Sequence, residues 1–300
     1  EYVGILFDAD IARAGNDYAG LQAIQLSKAS SNIVFRNNEY RNCSMSLMMD
    51  YRDCDEAGQT GCATMNGQTT TRNVTVDQQL FLQDAPVRGA LSFLTVRAIA
   101  SDGRDRGGAT RVTDPDCLDT RVGFENLIVR NSVFKRTASA GGAMRFKIGS
   151  NCPGTPLGPV VVENNTFVSN AALSNPALIT IGNGVGSFDY DYVHYAETYR
   201  FRNNIFTGID ADVAFELKQK GSNNYYGENR TPSDFQASNN SYGGVSRFLL
   251  DTAQYSSLGA WQSATGYEMS SNACSTLFAA DGFHLASNDT CSKNRGANDV

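Results

Sequence analysis

The chain has little histidine, proline or tryptophan: 300 residues carry two His, seven Pro and one Trp. The two histidines are His194 and His284, and no Cys-x-x-Cys pair occurs, which argues against a zinc site. No uninterrupted apolar run approaches about 18 residues, so no helical membrane span is expected. Basic residues (25) are outnumbered by acidic ones (31), giving a net charge of -6 and a pI near 5.0. Binding a nucleic-acid backbone needs clustered Lys and Arg, so nucleic acid is not an expected partner. Also missing are the Gly-x-Ser-x-Gly elbow, the phosphate-binding P-loop and His-Glu-x-x-His, and with them the chemistries these motifs position.

What remains is 41% hydrophobic residues, enough for a sizeable core, and 28 glycines. The chain begins at Glu1 without Met, and a mature or excised product is the expectation. Seven cysteines are dispersed along it. Local pairing is expected for Cys54 with Cys62, for Cys274 with Cys291 and, less directly, for Cys117 with Cys152. Cys43 then remains as a buried thiol. Disulfides imply an oxidising compartment, hence a secreted or cell-surface location.

One phrase recurs. NIVFRNNEY, LIVRNSVF, VVVENNTF and YRFRNNIF all place an apolar strand before Asn-Asn or Asn-Ser and an aromatic residue. Six copies begin at Asn37, Gln78, Asn131, Asn164, Asn203 and Asn239, at spacings of 41, 53, 33, 39 and 36 residues. Two residues before the first amide stand Phe35, Val76, Val129, Val162, Phe201 and Ala237. Three after it stand Tyr40, Phe81, Phe134, Phe167, Phe206 and Tyr242. The alternation is that of strands with one buried face. A second strand precedes most copies, in LQAIQLS, ALSFLTVRA, GAMRFKIG, PALITIG and VAFELKQ. No such unit can bury its face alone, and stacking the units solves this.

The amide has its place in the same geometry. A coil needs a sharp corner in each turn, and Asn tolerates left-handed backbone better than other non-glycine residues. Corners stacked at a strand spacing of about 4.8 Å bring their amides within hydrogen-bonding reach, as a ladder through Asn37, Asn131, Asn164, Asn203 and Asn239. The residues just before the amide read Arg36, Asp77, Arg130, Glu163 and Arg202. Their signs alternate, as in-register stacking would favour.

The pattern resembles secreted bacterial proteins with the right-handed parallel β-helix fold, a group that includes polysaccharide lyases and adhesins. SSLGAWQSATGYEMSS (256–271) and DGFHLASNDTCSKNRGAND (281–299) resemble the last segments of such repeat proteins. The expectation is an all-β chain, 1–300, forming a single right-handed parallel β-helix solenoid of about seven turns. It has Asn-rich corners, long loops, a repeat core over about 20–250 and a closing segment over about 251–300. Trp261 is expected to plug the end of the coil.

Candidate chemistry falls on the second strand column. In GAMRFKIG the inward residues are Met144, Phe146 and Ile148, leaving Arg145 and Lys147 outside. By the same alternation Glu216 and Lys218 are outside in VAFELKQ, as is Asp50 in SLMMDYRD. The resemblance implies a lyase use for such a face, in which a cationic side chain takes the C5 proton of a uronic acid. That chemistry needs a base with a lowered pKa and a cation at the carboxylate. Lys147 with Arg145 fits it, and Lys218 is the second choice. Glu216 and Asp50, with the aromatic run containing Tyr190, Tyr192 and Tyr195, are candidate substrate contacts. Calcium is a candidate cofactor, through these acids or through the loop acids Asp102, Asp105, Asp114, Asp116 and Asp119.

Two functions remain open. One is an extracellular polysaccharide-interacting protein, in its specific form a lyase on a uronic-acid polymer. The other is a non-catalytic adhesin, surface fibre or filament subunit that self-associates through the ends of the coil.

Overall fold

A computed structural model gives the fold. It describes residues 2–8, 22–27, 31–50, 70–85, 92–100, 123–137, 143–150, 157–170, 177–181, 197–208, 213–217, 235–250 and 252–297. The chain coils into a parallel β-helix with three sheets. Sheet 1 contains Tyr2–Val3, Ser31–Arg36, Thr70–Asp77, Gly123–Arg130, Leu157–Glu163, Glu197–Arg202 and Phe235–Ser238, neighbours in that order. Sheet 2 stacks Leu6–Asp8, Glu39–Arg41, Leu80–Gln83, Val133–Arg136, Thr166–Ser169, Ile205–Thr207 and Ser241–Gly243. Sheet 3 stacks Gln22–Ser27, Ser44–Asp50, Leu94–Ala100, Met144–Ser150, Ala177–Ile181, Val213–Leu217 and Arg247–Leu250. The coil therefore has seven three-stranded rungs, the first beginning at Tyr2. Sheet 2 adds a third strand to the two read in each repeat from the sequence. Its strands are only three or four residues long, too short to show a period, and the aromatic residue marks each of them.

The aromatic column is one continuous stack. Phe7, Tyr40, Phe81, Phe134, Phe167, Phe206 and Tyr242 lie with ring centroids 4.5–5.1 Å apart and planes within 12° of parallel. Phe7 belongs to a rung whose corner is Gly4, at φ 67°. Each stacked pair contributes about 0.5–1.5 kcal/mol beyond its buried area.

All six repeat corners are left-handed, with φ of 51–56° at Asn37, Gln78, Asn131, Asn164, Asn203 and Asn239. The interior ladder, however, runs through the next residue. Asn38 donates to Gln79 Oε1, the Gln79 amide to Ser132 Oγ, and the Ser132 amide to Asn165 Oδ1, each at 3.0 Å. Asn204 Oδ1 accepts from Asn165, and Asn240 Oδ1 from Asn204. The corner residue itself is half-buried or exposed. Its column makes separate links, Asn131 to Asp77 and Asn239 to Asn203. The reason is solvation: water serves the corner amide, whereas the next one is sealed inside and needs protein partners. A further exposed ladder, Asn126 to Asn73 to Asn32, precedes the corners by five residues.

The ladder generates a paired prediction. Asn204 donates to Val162 O at 2.9 Å as well as serving two Asn165 donors. Asn204→Ala strips those buried groups and should cost about 2–4 kcal/mol of unfolding free energy. Asn203→Gly keeps the corner conformation and should cost under about 1 kcal/mol. Urea denaturation of both variants checks the difference.

Candidate functional site

The site is built on sheet 3. Met144 and Phe146 are fully buried in the strand Met144–Ser150, and Arg145 and Lys147 occupy the alternate positions of that strand, their side chains lying outside what the structure describes. Register aligns Arg145 with Thr95 on one neighbouring strand and Thr180 on the other. Thr180 is aligned in turn with Glu216, and its hydroxyl donates to Glu216 Oε2 at 3.2 Å. Glu216 thus lies two rungs from Arg145 in one column. Asp50 is aligned with Ile99, and Ile99 with Gly149, so Asp50 stands two rungs away on the other side.

Of the expected set, the fold brings Arg145 and Lys147 onto one strand and keeps Asp50 and Glu216 at a distance. Two rung spacings amount to about 10 Å between backbones. Lys218, Tyr190, Tyr192 and Tyr195 lie outside the described residues, as do Cys54, Cys62, Cys117 and Cys152 and the five loop acids. Among the described residues, no group of three or more His, Cys, Asp or Glu side chains converges as a metal would require. One basic residue escaped the sequence reading. Register sets Arg97 opposite Lys147. Arg97 stands in the strand ALSFLTVRA, and only the alignment of two rungs joins it to the others.

The closing segment finishes the coil below this face. Trp261, on the helix Leu258–Thr265, is fully buried and stacks on Phe248 at 5.3 Å. Ser257 caps that helix by accepting from the Ala260 amide. Cys274 and Cys291 form a disulfide, and Cys43 is a buried thiol that donates to Phe7 O at 3.4 Å. The tail after Cys291 climbs back over sheet 2. Gly296 donates to Asn203 O and Ala297 to Thr166 Oγ1. A Cβ at Gly296 would lie 2.5 Å from Ile205 Cδ1, so only glycine passes there. Further up, Lys135 donates to Asp281 O at 2.6 Å and lies over the Phe283 ring.

Glu268 ends the interior ladder. It is buried, accepts from both Asn240 and Tyr242, and is also hydrogen-bonded by Ser271. Burial raises its pKa above the ordinary 4.5, against the opposing pull of its three donors and of the Arg295 charge. Burial and the adjacent carboxylate push the Tyr242 hydroxyl well above 10.0. Nothing in the local sequence marks Glu268, because its partners come from a rung 26 and 28 residues upstream.

No protein-family model matches the chain, and neither a curated protein nor a solved structure is found to resemble it.

The cap carries a pH prediction. A carboxyl whose pKa is raised by folding contributes most below its unfolded value, and that contribution is lost as pH rises through the folded value. Relative to Glu268→Gln, the wild-type protein should be insensitive to pH below 4.5 and lose stability as pH rises above it. Unfolding curves of both proteins at a series of pH values test the sign.

Proposed function

We propose that the outer face of sheet 3 binds an anionic extracellular polysaccharide and, in its catalytic form, cleaves a uronic-acid polymer by elimination. The observation that supports this is the placement of Arg145 and Lys147 two residues apart on one strand, at the positions that alternate with the buried Met144 and Phe146. In the proposed step neutral Lys147 takes the C5 proton of the uronate. The glycosidic oxygen leaves from C4 with its electron pair, and a C4–C5 double bond forms. Arg145 neutralises the carboxylate beside C5. A net charge of -6 repels a polyanion at long range, so the attraction is local to this face. The disulfide supports an oxidising, extracellular setting.

The second reading, a non-catalytic protein that self-associates, draws on the first rung. Val3, Ile5 and Leu6 are 48%, 37% and 59% exposed there, whereas the helix and Trp261 cover the other end. Self-association through these residues would be detectable by sedimentation.

The test is incubation with alginate, pectate, glycosaminoglycans and ulvan, with and without calcium, following the ultraviolet absorbance of the new double bond. A signal that falls at least a hundredfold in Lys147→Ala is the expected outcome, in line with the loss of a general base. No signal on any polymer from folded protein would remove the lyase form.

A further inference from the structure

The outer face of sheet 1 carries an apolar ridge. Register aligns Val34, Thr75, Ile128 and Val161 on four successive rungs. Their chain neighbours Phe35, Val76, Val129 and Val162 are fully buried, whereas the ridge residues are half-buried, so alternation turns the ridge outward. On the next two rungs the column continues as Arg200 and Gln236, both exposed, and the ridge ends there. Two residues further along the same four strands stand Arg36, Asp77, Arg130 and Glu163, with opposite signs at every step. The arginines are the outer members of that column. The side chains of Arg36 and Arg130 are 41% and 39% exposed, against 6% and 18% for Asp77 and Glu163.

A two-fold axis running along the strands sets two copies of such a sheet face to face, with the order of the rungs reversed and the direction of the strands kept. With the axis between the Thr75 and Ile128 rungs, Val34 meets Val161 of the second copy, and Thr75 meets its Ile128. The same axis sets Arg36 against Glu163 and Asp77 against Arg130. An axis placed on either middle rung sets like charge against like instead, Asp77 on Asp77 or Arg130 on Arg130. The ridge, being four rungs long, has its own midpoint at the same place. Ridge and charge column are separate features, and both select the axis between the rungs.

We propose that sheet 1 is a docking face for a second copy of this chain, the two coils antiparallel about an axis between the Thr75 and Ile128 rungs. The proposal does not rest on the polysaccharide reading, which uses sheet 3, and it names a surface other than the first rung for self-association. Four rungs at about 4.8 Å give a contact about 19 Å long, small for a specific interface, so the pair is reversible. The opposed charges set the register of the pair more than its strength.

Sedimentation equilibrium of the full chain, at concentrations up to about 1 mM, tests this. A reversible monomer–dimer equilibrium is the expected result. Ile128→Lys should weaken it roughly tenfold or more, by placing a charge at the centre of the ridge. Thr75→Cys chains mixed with Ile128→Cys chains should cross-link under mild oxidation far faster than either variant alone, with the wild-type chain as background. The cysteine pair reads the docking register even if Ile128→Lys disturbs folding. A monomer at every concentration would overturn the proposal. So would a dimer that Ile128→Lys leaves intact, which would point to the first rung instead, or cross-linking no faster in the mixture than in either variant. The lyase assay on sheet 3 stands apart from all of these outcomes.

Discussion

Everything in this coil depends on a buried amide having a partner on the next rung. The corner residue adopts left-handed backbone, and the residue after it turns inward, where no water reaches. That inward group must find its hydrogen bonds above or below. It does so from Ile5 at the first rung to Ser271 and Glu268 at the cap. An unsatisfied buried group costs about 1–3 kcal/mol, so a slip of one rung against the next is penalised at every corner at once. The aromatic stack and the charge column sit at fixed offsets from the same corner. Once the ladder is aligned, both are aligned with it.

The same constraint explains why the repeats vary in length. From the strand before the corner to the aromatic after it, the phrase is constant. The spacings of 33 to 53 residues differ only in the chain between one such phrase and the next. Register is fixed by a short segment, and differences in length elsewhere cost little, because loop-closure entropy grows slowly with length.

This division also separates what was legible in the sequence from what was not. Phe35, Val129 or Phe206 could be assigned to the core by position alone, because each repeats a column. The parallel stacking was legible for the same reason, and so was the alternation from Arg36 to Arg202, which the register bears out. Sheet 2 was missed as a sheet because three residues cannot display a period of two. The ladder was read on the corner residues, where Asn239 does bond Asn203, and the buried ladder one residue later, through Asn38 and Asn204, was not read. The two amides of each pair look alike in sequence, and only burial distinguishes them. Asn32, Asn73 and Asn126 did leave a signal, five residues before three of the corners, but the later copies lack it. Glu268 and Arg97 left none. Their meaning comes from residues brought beside them by coiling, not from their neighbours in the chain.

The closing segment has a consequence for function as well as for stability. It covers sheet 2 from Ser241 up to Lys135, with contacts to Ser292, Gly296, Ala297 and Asp281 on the way. Sheet 1 turns outward a column whose acids and bases neutralise one another, Arg36 and Arg130 on Asp77, Arg202 on Glu163. Neither face offers a concentrated charge to a ligand. Sheet 3 differs because its register puts Arg97 beside Lys147 instead of beside an acid. The register of sheet 3 thus aligns two basic positions, whereas that of sheet 1 aligns opposite signs at every step from Arg36 to Arg202.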